Sequence, residues 1–199
     1  MIIPDRMNQH IKKIFLGEYN VDVNIEQPLI IDIGANIGGF ARWAFAKWSN
    51  SRIICFEPIK QNYDILVKNT SDIPNLIRYN CAVGSSKRKQ KMFYGKNNEG
   101  EASLFFGNQQ INETEEVEVI SAKEIPECHI LKIDTEGAEI EIIENLTCTP
   151  VLYLIEYHSE KNRIKLDKLL NKKYLLFSSN SNTIDYGIVK YILKTAIKK

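Results

Sequence analysis

The sequence is poor in the features that mark special environments. Only four of its 199 residues are cysteine: Cys55, Cys81, Cys128 and Cys148. No two stand as C-x-x-C and none has a histidine at zinc-finger spacing, which excludes a structural zinc module. A chain of this length with so apolar a core needs no disulfide framework. Cys55 and Cys81 sit in strand-like apolar runs and read as small core residues. No apolar run reaches the ~18 residues of a membrane-spanning helix. The opening Met-Ile-Ile-Pro-Asp-Arg lacks the basic-then-apolar pattern of a secretory leader. A reducing cytoplasm is therefore the expected compartment. An excess of one charge is also missing: 26 Lys+Arg against 25 Asp+Glu leave a formal net charge of +1. That balance argues against bulk electrostatic binding of nucleic acid. Lys87, Arg88, Lys89 and Lys91 form one local basic cluster, read as solvated surface. No internal repeat or low-complexity tract occurs.

What is present is an ordinary globular composition, 44% hydrophobic and 26% charged, arranged as alternating strand-like and helix-like segments. Residues 1–28 read as an N-terminal extension, with Ile11, Ile14 and Phe15 at helical spacing. Residues 29–199 read as one domain. Its strands are Leu29–Ile33, Arg52–Glu57, Leu76–Asn80, Ile130–Asp134 and Val151–Glu156. They are apolar without clean alternation, as expected for strands buried on both faces. Helices are predicted over Phe40–Trp48, Ile59–Asn69, Thr135–Leu146 and Ser159–Asn171. The glutamates of the third of these, Glu139, Glu141 and Glu144, read as a solvated face. Lys91–Tyr94 and Val117–Ile120 suggest a small hairpin. Glu101–Phe106 reads as a lid or a satellite core. Tyr174–Phe177 and Ile188–Leu193 are two last strands, joined closely enough to pair antiparallel. The alternation predicts a doubly wound α/β fold with right-handed crossovers.

Ligands of such sheets bind outside the carboxyl ends of the strands. Three strands end in an acid, Asp32, Glu57 and Asp134, and a fifth ends Glu156-Tyr157-His158. These side chains are expected to converge on one crevice. The turn Asp32-Ile33-Gly34-Ala35-Asn36-Ile37-Gly38-Gly39 follows the first strand. Gly34 allows a sharp exit from the strand, and Gly38 a close approach of backbone to ligand. Glu57 stands about 20 residues past Gly38, where an acid holds ribose hydroxyls. Turn and acid together point to an adenosine-bearing ligand. A dinucleotide fingerprint wants glycine where Asn36 stands, so that the backbone can reach a pyrophosphate, and Asp32 would repel that pyrophosphate. The ammonium and sulfonium of S-adenosylmethionine favour a nearby acid instead.

At these residues the sequence resembles class I methyltransferases: Asp-Ile-Gly-Ala-Asn-Ile-Gly, then Phe56-Glu57-Pro58. Leu131-Lys132-Ile133-Asp134-Thr135-Glu136-Gly137-Ala138-Glu139 narrows the resemblance. With Asn80-Cys81-Ala82-Val83-Gly84 before it and Ile155-Glu156-Tyr157-His158 after it, the chain is similar to the FkbM family over residues 29–158. The Lys-Ile-Asp-x-Glu-Gly-x-Glu block is the specific part. Ser121-Ala122-Lys123-Glu124 departs from the family's Thr-Leu-Asp-Asp-like segment, and residues after 160 match no part of its pattern. The resemblance implies a seven-stranded, mostly parallel sheet with a C-terminal antiparallel hairpin. It also implies S-adenosylmethionine as cofactor and a hydroxyl acceptor on a sugar, glycan or small natural product.

The cofactor-binding set is then Asp32, Gly34, Asn36, Gly38, Glu57, Asn80, Cys81 and Ala82, with residues 80–82 bordering the adenine. The catalytic candidates are Asp134, Glu136, Glu156 and His158. His158 is the preferred general base, because its ordinary pKa of about 6.5 suits neutral pH. Glu156 shares its face along the extended segment. The rival arrangement is a divalent metal held by Asp134 or Glu136 with His158. Competing functions are a dinucleotide-dependent oxidoreductase and a catalytically inactive nucleotide-binding module.

Overall fold

The computed structural model describes residues 1–95, 98–103 and 113–197. Its elements run in chain order α1 (Asn8–Phe15), β1 (Leu29–Ile33), α2 (Gly39–Lys47), β2 (Arg52–Phe56), α3 (Lys60–Asn69), β3 (Leu76–Tyr79), β4 (Ala82–Gly84) and β5 (Arg88–Gly95). They continue with β6 (Asn98–Ser103), β7 (Glu113–Ser121), β8 (Ile130–Ile133), α4 (Glu139–Asn145), β9 (Leu152–Tyr157), α5 (Glu160–Leu170), β10 (Tyr174–Thr183) and β11 (Tyr186–Leu193).

Seven strands form the main sheet in the order β10-β11-β9-β8-β1-β2-β3. β8, β1, β2, β3 and β9 are parallel, and β11 runs antiparallel to both β9 and β10. This is the sheet the sequence predicts, closing hairpin included. The apolar runs are explained by burial on both faces. Ile31, Ile33, Leu131 and Ile133 point into one core with α4, α5 and the small sheet, whereas Ile30, Ile130, Leu152 and Leu154 point into another with α1 and α2. Successive side chains of a strand alternate between faces, so a strand covered on both sides is apolar at most positions, with Asp32 of β1 and Lys132 of β8 as buried exceptions. Among the described residues, no helix is long and apolar enough to cross a membrane.

The region after β3 holds more structure than the expected hairpin. A second sheet of order β4-β7-β5-β6 is tied to the first core through Val83, Met92, Val117 and Val119. A capping box closes its exit: Ser121 accepts from the Lys123 amide while its own amide donates to Glu124. Of the segment 101–106, residues 101–103 end β6, and the rest lies outside the described residues.

The chain crosses from one side of the sheet to the other at β1. From β1 it proceeds to β2 and β3 on one flank, and it returns to β8 and β9 on the other. The crevice between the carboxyl ends of β1 and β8 is thus the switch point at which such sheets bind ligands.

Candidate active site

A cleft opens at this switch point. Gly34, Asn36, Glu57, Cys81, Ala82, Asp134 and Glu136 line it, with Phe56, Pro58 and Met92 as apolar wall. The site residues read from the sequence therefore meet in one place, but not all in the expected way.

Gly34 leaves β1 with φ +79°, and a Cβ there would lie 1.7 Å from the Asp134 carbonyl oxygen. Only glycine lets β1 and β8 end so close together. The Gly34 and Ala35 amides both donate to the Phe56 carbonyl at 3.0 Å. Asn36, at φ +50°, then turns its amide onto Glu57 Oε2 at 2.8 Å, and the Ile59 amide donates to Glu57 Oε1 at 2.9 Å. Burial pushes the Glu57 carboxyl up to about 7, and the two backbone donors hold it below what burial alone would give. The Asn62 side chain also hydrogen-bonds this carboxyl, so one of its roughly four acceptor positions remains. The buried Asn36 Oδ1 on the cleft wall has no hydrogen-bond partner.

Three expected ligand contacts fall elsewhere. Asp32 is fully buried and lies 3.1 Å from Lys132 Nζ, so its charge is neutralised inside the protein and offers nothing to a ligand's cations. Gly38, with φ +88°, precedes α2 and packs against Leu66 and Thr70 rather than lining the cleft. Asn80 donates from Nδ2 to the carbonyls of Glu57 and Pro58, both at 2.9 Å, and so braces the Glu57 loop from outside.

Lys132 was not among the sequence candidates. Its ammonium also lies 3.3 Å from Asp134 Oδ2 and donates to the Gly34 carbonyl at 2.6 Å. Burial disfavours this charge, but Asp32 and Asp134 outweigh it and raise the pKa above the ordinary lysine value. One buried cation thus joins the first glycine turn to the end of β8.

At the far end of the cleft, β9 delivers His158 beside the turn of residues 134–137. Glu136 and Gly137 are consecutive residues with positive φ, +52° and +112°. They bring Glu136 Oε2 to 3.3 Å and Asp134 Oδ1 to 3.9 Å from His158 Nε2. Nδ1 pairs with Glu139 Oε1 at 3.0 Å. Glu139, read from sequence as solvated, is fully buried, and its carboxylate also accepts from the Gly137 amide and from Asn162 Nδ2. Burial disfavours the imidazolium, but Glu136 and Glu139 overcome it and push His158 up to about 11. In this state the ring has no lone pair, in contrast to the base expected from an ordinary histidine pKa. Glu156 Oε1 lies 3.9 Å from Nε2, on the face the sequence parity predicted. Its other oxygen accepts from the Tyr19 hydroxyl at 3.2 Å, and Tyr186 of the closing hairpin also hydrogen-bonds this carboxyl. Burial and neighbouring Asp134 push Glu156 up to about 8.

Sequence reasoning missed Lys132, Glu139, Tyr19 and Tyr186. Lys132 and Glu139 are the first and last residues of the Lys-Ile-Asp-x-Glu-Gly-x-Glu block, and that was their signal. Tyr19 and Tyr186 lie in segments without a pattern. His10 of α1 lines a smaller cavity with Tyr19, Phe40 and Lys132 behind the glycine turn.

Several known methyltransferases resemble this chain. The hexuronic acid methyltransferase AglP of Haloferax volcanii is 24% identical over 156 residues, covering 75% of this chain and 64% of the relative. Methyltransferase 1 of Beauveria bassiana is 24% identical over 162 residues, covering 68% and 65% respectively. The chain thus spans just under two thirds of the length of these curated relatives. A methyltransferase FkbM from Methylobacillus flagellatus superposes with a TM-score of 0.59 at 15% identity, over 85% of this chain and 44% of that one. Aeropyrum pernix fibrillarin, solved with natively bound S-adenosyl-L-methionine, superposes at 0.53 with 9% identity, over 89% and 72%. At such identities these two likenesses concern the fold. The family model for the methyltransferase FkbM domain matches residues 32–184, and the chain belongs to the FkbM methyltransferase family.

Proposed function

We propose that this chain transfers a methyl group from S-adenosylmethionine to a hydroxyl oxygen of a sugar, glycan or small natural product. The observation that carries the reading is one cleft with Glu57 on its wall and the Asp134–Glu136–His158 cluster at its end. The relative named as a hexuronic acid methyltransferase supports a sugar acceptor.

The residues fit the cofactor. Glu57 keeps an acceptor position for a ribose hydroxyl, and the unpartnered Asn36 Oδ1 offers a further one. Cys81, Ala82, Pro58 and Met92 give the apolar surface that an adenine ring needs. Asp134 takes the role that the sequence gave to Asp32, because it is the acid that reaches the cleft.

S-adenosylmethionine supplies an already activated methyl group on a sulfonium. The protein's task is to hold the acceptor in line, and such positioning can supply ~7–11 kcal/mol. As the methyl group passes from the bound cofactor, which would leave as its neutral thioether, the cluster would hold the acceptor hydroxyl in line and one of its side chains would take the proton. Asp134, Glu136, Glu156 and His158 surround that point. His158 takes the proton only when the charge of its carboxylate neighbours is otherwise neutralised.

The test measures binding of S-adenosylmethionine, S-adenosylhomocysteine and NAD by calorimetry, then transfer of labelled methyl to uronic acids, neutral sugars and their glycans. Binding of the first two with O-methyl product on a sugar is the expected result. NAD binding without S-adenosylmethionine binding would instead favour the oxidoreductase reading.

A further inference from the structure

Asp134, Glu136 and His158 each offer one ligand atom, and the three atoms lie within 4.8 Å of one another. Asp134 and Glu136 line the wall of the cleft, and His158 lies beside them. A first-row divalent ion with oxygen or imidazole ligands at about 2.0–2.2 Å spans donors up to about 4.4 Å apart, so the three side chains would close in on it. We propose that these three residues bind one divalent cation and that the cation seats the acceptor hydroxyl. The second half of this statement rests on the methyl-transfer reading; the first half does not.

Two further features support the site. The first is the partner on the other side of the imidazole. Nδ1 of His158 faces the buried Glu139 carboxylate at 3.0 Å, which fixes the ring and turns Nε2 toward Asp134 and Glu136. A metal-ligating histidine is typically held in this way, its second nitrogen bonded to a carboxylate. Glu139 is itself fixed by the Gly137 amide at 2.8 Å and by Asn162. Nε2 is shut off from solvent by the same packing. The second feature is charge. Asp134, Glu136, Glu139 and Glu156 all approach one imidazole within 3.9 Å, and the nearby Lys132 is shared among Asp134, Asp32 and the Gly34 carbonyl. Four carboxylates around one ring gain more from a divalent ion than from a single proton.

Two carboxylates and one imidazole select a cation such as Mn²⁺ over Mg²⁺, which prefers an all-oxygen shell. Three protein ligands on one side leave open positions on the other. An acceptor with two neighbouring oxygens, as in a vicinal diol or a hydroxy acid, would fill them. A cation there lowers the pKa of a bound hydroxyl.

The experiment titrates Mn²⁺ into the chelator-stripped chain and follows the loss of the free-ion paramagnetic resonance signal. One Mn²⁺ per chain is expected. His158→Ala and Asp134→Asn should abolish binding. Glu139→Gln, which removes no ligand, should weaken it roughly 10- to 100-fold. S-adenosylmethionine affinity, measured on the same stripped sample, separates the two readings. If the cofactor binds but neither Mn²⁺ nor Zn²⁺ does, the metal site is wrong and the methyltransferase reading stands. Cation binding that survives His158→Ala in a folded protein also overturns the assignment. Should the His158 variant not fold, the wild-type titration and the Glu139→Gln variant decide.

Discussion

Replacing Glu57 by alanine isolates the cofactor end of the site. The carboxylate receives two backbone amides, Asn36 at 2.8 Å and Ile59 at 2.9 Å, and a hydrogen bond with Asn62. It thereby pins the glycine turn to the end of β2. With cofactor bound, its remaining acceptor position would receive a ribose hydroxyl. Loss of a hydrogen bond to a charged partner costs about 1.5–3 kcal/mol, which is roughly a 10- to 150-fold weaker dissociation constant. The fold should survive, because the deleted carboxyl is one that burial already penalises. Glu57→Gln is an informative second variant. It keeps the volume, but its amide nitrogen must face one of the two backbone donors, so it should recover little affinity. Titration calorimetry with S-adenosylmethionine at pH 8 is the assay, after circular dichroism has shown the variant folded. A folded Glu57→Ala chain whose affinity lies within twofold of wild type would refute the ribose assignment.

Because Glu57 is held at about 7, cofactor affinity should fall by at most tenfold per pH unit as the pH drops below that value, since the protonated acid is a poorer acceptor. The Glu57→Gln variant should show a flat profile by the same calorimetry, and an identical slope in both proteins would assign the titration elsewhere. The sign for stability is opposite. A carboxyl raised from 4.5 to about 7 in the folded chain favours folding at low pH, and this contribution is lost as the pH rises through about 7. Lys132→Met should cost about 3–5 kcal/mol in urea unfolding, because it leaves two acids without their cation, Asp32 of which is fully buried. A loss below about 1 kcal/mol would show that Asp32 is carried as a neutral acid.

The main sheet was legible because burial on both faces leaves its mark on local sequence. Leu29–Ile33, Ile130–Ile133 and Leu152–Tyr157 carry apolar side chains at nearly every position. The acids that end three of these strands also pointed to a crevice, since strand ends converge by topology alone. The second sheet was only half legible. β5 and β7 showed as short segments, but β4 pairs with β7 across almost 40 residues, and no local pattern records such a pairing.

The sequence by itself determined the order of elements, the glycine turn, the position of Glu57 on its strand end and the specific block from Lys132 to Glu139. All of these are one-dimensional: they depend on spacing, side-chain type and the period of burial. Only the tertiary structure decided which acid faces the cleft and which is sealed beneath it. Asp32 and Asp134 read alike in the chain, yet Lys132 of β8, in register with Asp32 of β1, holds Asp32 inside and leaves Asp134 at the wall. It likewise decided that Glu139 is buried against His158 and that Tyr19 and Tyr186 meet at Glu156. Charge neutralisation in a low-dielectric interior depends on distances of a few ångströms between residues more than 100 positions apart, and those distances exist only once the strands have packed.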